Sequence, residues 1–176
     1  MLGALIGDTV GSIYEFCNIK TIDFPLFSDG SSFTDDSVMT IAVADWLLHD
    51  PVRSQQGLED SLVKWGHRYP DESYGGAFSR WLFMPEFQSV FRDRDTETVD
   101  NIPYGVRHPY NSWGNGSAMR ASACGWLAQS VEDALDLGRR SAMITHNHPE
   151  GIKGAQAVAT AIYLARTGST KAKIHQ

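Results

Sequence analysis

The fold class of this chain is decided by residues 33–49, FTDDSVMTIAVADWLLH. Thr34 is a typical helix N-cap, and the carboxylates of Asp35 and Asp36 are favourable in a first helical turn because they face its free amides. Apolar side chains then recur at helical spacing, at Met39, Val43, Trp46 and Leu47. The stretch therefore predicts a helix that begins at an acidic cluster and buries one face.

Helical patterns continue on both sides of this stretch, whereas strand signals are scarce. The other predicted helices cover Leu2–Phe16, Leu58–His67, Gly75–Met84, Gly116–Leu127, Ser130–Ile144, and a long segment that opens at Pro149 and is closed by Gly168. Gly3, Gly7 and Gly11 share one face of the first helix and predict the close approach of another segment. We find no repeat or linker, so we expect one all-α domain over residues 1–176, folded as a compact helical bundle.

The composition limits the classes of function. The 176 residues are 42% hydrophobic, enough for one domain with a core, and carry a formal net charge of -6 without a basic patch. Nucleic acid is therefore not expected as a partner. No segment is apolar enough to span a membrane, and no Lys or Arg precedes the first apolar stretch as in a signal peptide. Together with two widely separated cysteines, these features predict a cytoplasmic protein with free thiols.

Two polar segments precede predicted helices and can each be structural or functional. Thr34, Asp35 and Asp36 offer the hard oxygen ligands that Mg²⁺ prefers, but they can also serve only to cap the helix. The second segment, Asn111–Arg120, begins within a loop predicted over Thr96–Asn115 and continues into the next predicted helix. Its Gly and Asn residues let a ligand approach the main chain, and the next helix start would offer amides to a phosphate. An ordinary turn into a helix is the alternative.

Two further features are the segment Thr145–Gly151 and Glu15. The segment contains His146 and His148, which can bind zinc, although no third ligand lies nearby in the sequence. Helix capping and contact with a substrate are the other interpretations of these histidines. Glu15 ends the predicted first helix near Asp8. A lone glutamate is usually solvated, so its proximity to a second acid is the reason to consider it.

Taken in order, these segments resemble the ADP-ribosylglycohydrolase family, whose members are also called ADP-ribosylhydrolases. The matching motifs run along nearly the whole chain: Gly7-Asp8 with Gly11–Glu15, Phe33–Ser37, Tyr74–Gly76, Gly114–Arg120, and Thr145-His146 through Gly154-Ala155. Several motifs in a fixed order are more specific than any one of them. The resemblance implies an all-α bundle around a cleft that holds two Mg²⁺ ions, with Mn²⁺ as an alternative.

The resemblance also implies roles for individual residues. Asp35, Asp36 and Glu15 would be catalytic, and Thr34, Asp35 and Asp36 would be metal ligands. The substrate-binding residues would be Ser112, Gly114, Asn115, Gly116, Ser117, Met119 and His146. The expected ligand is ADP-ribose, free or attached to a protein or small molecule. The expected reaction is hydrolysis of the glycosidic bond of such an ADP-ribosylated substrate.

The chain departs from the family's pattern in two places. Position 37 is serine where threonine is frequent, which keeps the hydroxyl. The family's second metal motif, with an Asp-x-Asp-Thr core, lies near the C-terminus. We expect this chain to lack such a run and therefore half of the metal shell.

The second departure leaves an alternative function open, a non-catalytic protein that binds ADP-ribose or has a structural role. A third possibility is a fragment of a longer active protein. In each case the resemblance implies that the C-terminal part of the bundle is missing. We therefore expect lower stability than in longer relatives, or self-association through a face that includes Ile152, Ala155, Ala159, Ile162 and Tyr163.

Overall fold

The chain is all-α in a computed structural model that describes residues 1–85 and 107–175, and no strand occurs within these ranges. Its helices in chain order are α1 (Leu2–Gly11), α2 (Asp35–His49), α3 (Gln55–Arg68), α4 (Gly76–Phe83), α5 (Gly116–Met119), α6 (Ser122–Leu127), α7 (Val131–Met143), α8 (Pro149–Arg166) and α9 (Lys171–Ile174). A 3₁₀ turn at Ser12–Tyr14 follows α1. None of the helices in the described ranges is long and apolar enough to cross a membrane.

Side-chain caps fix two helix starts where the sequence predicts them. The Asp36 amide donates to Thr34 Oγ1 at 3.3 Å, and the Asp133 amide donates to Ser130 Oγ at 3.1 Å. The Asp133 carboxylate in turn accepts from the amide of Gln129, the residue before the cap. In a regular capping box this second bond comes from the amide of the cap residue itself. Pro149 is the first residue of α8, as predicted, because a first-turn residue needs no amide partner.

Two predicted helices are interrupted. The first ends at Gly11, and the Ser12 hydroxyl bonds to the Thr9 carbonyl, a local contact that competes with regular helix bonding. The helix predicted over Gly116–Leu127 is divided into α5 and α6, and Arg120 lies at the break. Of the loop predicted over Thr96–Asn115, residues 96–106 lie outside the described residues, and residues 107–115 contain no helix.

The hydrophobic core surrounds α2, with side chains from α3, α4, α6 and α7 packed against it. Its largest fully buried apolar side chains are Trp46, Trp81, Met39, Leu58, Leu62, Leu82 and Leu137. Ten of the fifteen α2 residues are buried, so this helix passes through the core and does not lie on its surface. The acidic start of α2 is therefore held by a rigid element.

The α8 helix packs against α6 and α7 through small residues. Ala155 and Ala159 are fully buried. A Cβ atom at Gly125 of α6 would overlap the carbonyl oxygen of Ala159, so only glycine permits this approach. The expectation that Ala155 and Ala159 lack cover is therefore wrong. Ile152, Ile162 and Tyr163 are partly buried.

The α1 helix has no buried residue. Leu2 is 75% exposed and Ile6 is 53% exposed, although both are large and apolar. Within the described part of the chain, nothing lies within 4 Å of a Cβ placed on Gly3, Gly7 or Gly11. The close approach predicted for this glycine face is therefore not made by any described residue.

Candidate active site

An acidic cluster forms where α1 meets the start of α2. Asp8 of α1 accepts three hydrogen bonds there, from the Thr34 amide at 2.8 Å, the Thr34 hydroxyl at 2.6 Å and the Ser37 amide at 3.1 Å. A carboxylate that accepts several amide bonds at a helix N-terminus is a strong anchor. Asp8 thereby fixes the position of Asp35 and Asp36 relative to α1.

The carboxylates of Asp35 and Asp36 are protonated more readily than ordinary acids. The pKa of Asp35 is raised to about 7, first by burial and then by the charges of Asp36 and Glu15. The pKa of Asp36 is raised to about 6 by burial and by the charges of Asp8 and Glu15. Negative charge is thus concentrated in a partly desolvated position, which is where a cation is most stabilising.

A cleft of about 370 Å³ joins this cluster to the loop before α5. Its acidic wall contains Glu15, Asp35 and Asp36. The predicted substrate-binding residues on the opposite wall are Ser112, Gly114, Asn115, Gly116, Met119 and His146. The fold therefore brings together two groups of predicted residues that are separated by more than seventy positions in the sequence.

Two predicted site residues do not line this cleft. Ser117 is fully buried, and its hydroxyl donates to the Gly151 carbonyl at 2.8 Å, so its side chain supports the junction of α5 with α8. The Thr34 hydroxyl donates to Asp8 and accepts from the Asp36 amide. One lone pair of Thr34 Oγ1 is left for a metal ion. The Ser117 side chain is thus not available to a substrate in this structure.

The wall that contains His146 is assembled by close contacts. A Cβ atom at Gly116 would lie 2.9 Å from His146 Cε1 and 3.0 Å from Nε2, so the imidazole edge occupies the space that a side chain would need. The Asn111 amide donates to Asn147 Oδ1 at 2.8 Å, with Asn111 at a positive φ of 53°. The loop before α5 is thereby fixed against the segment that leads into α8.

The start of α5 offers less to an anion than the sequence predicts. The α5 helix has only four residues, so its dipole is much smaller than that of a long helix. The Ala118 amide already donates to the Asn115 carbonyl at 2.9 Å, so among the described residues only the amides of Gly116 and Ser117 are left free in this turn. The contribution of this wall to anion binding therefore depends on individual donors such as the amide of Gly116 and the ring of His146.

The two histidines of the Thr145–Gly151 segment have different surroundings. His146 is 4% exposed and lies in the cleft, whereas His148 caps α8, its Nδ1 accepting from the Glu150 amide at 3.1 Å. Within residues 1–85 and 107–175, no three His, Cys, Asp or Glu side chains converge as a metal-binding group. The zinc interpretation of this segment gains no support.

Sequence reasoning gave no role to Asp8, Tyr110 or Arg120, although Tyr110 and Arg120 line the cleft. Arg120 is 1% exposed, and its guanidinium donates to the Ser141 carbonyl at 2.6 Å. Arg120 is the one charged residue between Ser112 and Gln129. An arginine in an otherwise uncharged segment could have been singled out from the sequence, because a buried arginine is normally paired.

The expectation that the chain has no Asp-x-Asp-Thr run is wrong, because the sequence contains one. It is Asp93-Arg94-Asp95-Thr96, in the middle of the sequence. These four residues lie outside the described residues. The run has the spacing of the family's second metal motif but not its position in the chain.

Comparison with known proteins shows the family of the chain. The chain is 27% identical to the ADP-ribosylhydrolase ARH3 of Bos taurus over 192 residues, and 27% identical to the proteins of the same name from Mus musculus and Homo sapiens. These alignments cover 96–98% of this chain and 48–50% of the relatives, so the chain spans about half the length of the curated relatives it matches. The sequence profile of the ADP-ribosylglycohydrolase family matches residues 1–176. The chain therefore belongs to the ADP-ribosylglycohydrolase family.

Proposed function

We propose that this protein hydrolyses the glycosidic bond of ADP-ribosylated substrates with the help of Mg²⁺. The observation that carries the proposal is the single cleft that has three carboxylates on one wall and the Gly114–Gly116 loop with His146 on the other. Such a cleft can hold the ribose at the acids and the diphosphate at the amide and imidazole donors. Family membership supports the same reaction class.

The acidic wall has the donor chemistry that a divalent cation needs. Asp35 and Asp36 provide hard oxygen ligands, and their pKa values are raised first by burial and then by the neighbouring carboxylates. The described residues supply fewer than three convergent acidic or imidazole ligands, so we propose that they hold one side of the metal shell. A bound Mg²⁺ would lower the pKa of a water molecule and bind the sugar hydroxyls.

The protein's own residues have three tasks in this reaction. Hydrolysis adds the hydroxyl of water to the anomeric carbon of the ribose, breaks the bond to the acceptor and delivers a proton to the acceptor. The transition state resembles an oxocarbenium ion, which nearby carboxylates stabilise. One of Glu15, Asp35 and Asp36 accepts the proton of the water. The opposite wall orients the diphosphate so that the anomeric carbon faces the acids.

The proposal is tested by measuring release of ADP-ribose from an ADP-ribosylated protein preparation by chromatography, with Mg²⁺ and with EDTA. We expect Mg²⁺-dependent release by the wild type and little release by Asp35→Ala. Asp29→Ala, in an exposed loop, is the matched control and should keep wild-type activity. Absence of release by the wild type in saturating Mg²⁺ would refute hydrolysis by this chain.

A non-catalytic ADP-ribose-binding protein is the second candidate function. It is favoured by the absence, among the described residues, of a three-ligand metal group. Calorimetry with ADP-ribose separates the two candidates. Binding that is independent of Mg²⁺, without any release of ADP-ribose from modified protein, would support this second function.

Self-association is a further proposal, and a groove of about 550 Å³ between α1, α6 and α8 supports it. Trp126, which is 48% exposed, lines this groove with Val158 and Ile162. A second copy of the chain can bury these apolar side chains. Sedimentation of the wild type and of Trp126→Glu tests the proposal, since only the wild type should form dimers. A monomeric wild type would contradict it.

A further inference from the structure

Three buried polar side chains form a continuous hydrogen-bonded chain behind the cleft. Arg120 Nη2 donates to Thr145 Oγ1 at 2.8 Å, and Thr145 Oγ1 lies 2.8 Å from His146 Nδ1. Arg120 is 1% exposed, Thr145 is fully buried and His146 is 4% exposed. Because water does not reach these atoms, the hydrogen atoms must be distributed among the three side chains and their protein neighbours.

The direction of the hydrogen bonds follows from the chemistry of each group. A guanidinium has donors only, so Thr145 Oγ1 accepts from Arg120. The Thr145 hydroxyl has one hydrogen, and its oxygen lies 2.8 Å from His146 Nδ1, which is hydrogen-bond distance. When this hydrogen is donated to Nδ1, a neutral imidazole carries its own hydrogen on Nε2.

The imidazole is held in its neutral form. The pKa of His146 is lowered to about 3, first by burial and then by the positive charge of Arg120. Burial also lowers the pKa of Arg120, to about 10, so the guanidinium stays charged at neutral pH. At physiological pH, His146 thus has one N–H group, on either Nδ1 or Nε2.

The other group that can redirect the Thr145 hydroxyl is Tyr110. Its phenol interacts with Thr145, and burial raises the pKa of Tyr110 to about 12, so it remains a donor. A phenol that donates to Thr145 Oγ1 leaves the threonine hydrogen for His146. Removal of the phenol also leaves it for His146, so the arrangement should survive Tyr110→Phe.

The Nε2 atom of His146 lies on the side of the ring away from Thr145. The ring lines the cleft and lies against Gly116, where the missing Cβ leaves room for it. Among the described residues, Nε2 has no hydrogen-bond partner, whereas Nδ1 is occupied by Thr145. His146 Nε2 is not among the fully buried side-chain atoms that lack a partner, so it is open to the cleft and can donate to an acceptor that enters there.

We propose that Arg120 and Thr145 are positioning residues that hold His146 as the Nε2–H tautomer, so that it donates a hydrogen bond to a phosphate oxygen of the ligand. The second half of this inference rests on the proposed ADP-ribose site, whereas the tautomer is a property of the protein without ligand. Asp35 and Asp36 would act on the ribose, and the Arg120–Thr145–His146 chain would act on the diphosphate.

The tautomer is tested by ¹⁵N NMR of the histidine side chains at neutral pH, with His146 assigned from the spectrum of His146→Gln. We expect an Nε2–H signal for His146 in the wild type, in Thr145→Ser and in Tyr110→Phe. Thr145→Val is nearly isosteric but has no hydroxyl, so the His146 signals should move toward the other tautomer or a mixture. An Nδ1–H wild type, or a Thr145→Val spectrum equal to the wild type, would overturn the assignment.

The role in binding is tested separately with ADP-ribose and with inorganic pyrophosphate. We expect both ligands to shift the Nε2 signal, and Thr145→Val to weaken ADP-ribose binding roughly tenfold while Thr145→Ser binds as the wild type does. Binding that shifts Gly114 and Asn115 but leaves Nε2 unmoved would overturn the donor role alone. No binding of either ligand, with the tautomer as expected, would overturn the donor role together with the proposed function.

Discussion

Asp8 accepts hydrogen bonds from both the backbone amide and the hydroxyl of Thr34, across 26 positions of sequence. This contact links α1 to the first turn of α2. The hydroxyl hydrogen of Thr34 is used in this contact. Because the hydroxyl oxygen also accepts from the Asp36 amide, one of its lone pairs remains free. The carboxylate of Asp8 is thus a support for the acidic wall of the cleft and not a lining residue.

Loss of the Asp8 carboxylate should destabilise the protein. In Asp8→Ala, the amides of Thr34 and Ser37 and the Thr34 hydroxyl lose their acceptor, which we expect to cost about 1–3 kcal/mol. Urea unfolding followed by circular dichroism measures the difference. Asp29→Ala, in an exposed loop, should unfold at the wild-type midpoint. Equal midpoints for Asp8→Ala and the wild type would show that the contact contributes nothing.

The stability contributed by Asp35 should depend on pH. Its pKa is about 7 in the folded chain, against 3.8 for a free side chain, so the folded state binds this proton more tightly than the unfolded state. The favourable contribution is complete below about pH 4 and is lost as the pH rises through about 7. In EDTA, the wild type should therefore lose stability relative to Asp35→Asn over this interval.

The comparison with Asp35→Asn is needed because His146 has the opposite effect. The pKa of His146 is lowered to about 3 in the folded chain, so its contribution to stability falls as the pH drops below about 6.5. The two proteins share His146, and its effect cancels in their difference. Urea unfolding at several pH values gives this difference, and a value that is constant between pH 4 and pH 7 would rule out the raised pKa of Asp35.

Metal binding should require Asp35 and Asp36. We expect weak binding of Mg²⁺ or Mn²⁺ that strengthens as the pH rises, because a metal ligand must be deprotonated and these two carboxyls have pKa values of about 7 and about 6. Calorimetry should show that binding is lost when Asp35→Ala and Asp36→Ala are combined. Identical binding by this double variant and the wild type would exclude the site.

The mid-chain Asp-x-Asp-Thr run provides an informative control for this experiment. Asp93→Asn combined with Asp95→Asn removes the same number of carboxylates as the α2 double variant. We expect metal binding to persist, because the run does not have the position of the family's second motif. Loss of binding in this variant would assign metal ligands to the run.

The sequence was sufficient to predict α2 and most of the cleft. A capping threonine, two acids and a dense apolar pattern specify α2 locally, and the capping serine of α7 and the proline of α8 act in the same way. These signals depend on neighbours within one helical turn, so they can be read without knowledge of the fold.

Contacts between distant segments were not predictable in this way. The bonds from Thr34 to Asp8 and from Arg120 to Thr145 join residues 25 or 26 positions apart, and no local pattern encodes them. Ser117 was assigned to the ligand for the same reason, since only packing against α8 shows that its hydroxyl points to the Gly151 carbonyl. The polar residue types were informative, but their directions were set by the tertiary structure.

ADP-ribose should perturb the backbone NMR signals of the loop before α5. We expect the signals of Gly114, Asn115, Gly116 and Ser117 to shift more than those of α3, because the loop borders the cleft and α3 does not. The backbone amide of Ser117 is included although its side chain is buried. Uniform shifts, or none at millimolar ligand, would count against the site.

The final prediction concerns Gly116, where two effects oppose each other. Alanine is favoured over glycine in a helix by about 1 kcal/mol, and Gly116 is the first residue of α5. However, its Cβ would lie 2.9 Å from His146 Cε1, and Thr145 holds that ring in place, so overpacking should cost about 1–3 kcal/mol. We expect Gly116→Ala to be less stable than the wild type and to displace the imidazole, which should weaken ADP-ribose binding.

Gly114→Ala is the matched control for stability, because its Cβ would meet only Ser112 Oγ at 3.5 Å, an ordinary contact. Urea unfolding reports the change in stability, and the His146 ¹⁵N signals report the displacement of the ring. If Gly116→Ala is as stable as Gly114→Ala and its His146 signals are unchanged, the predicted overlap between the Cβ atom and the imidazole does not occur.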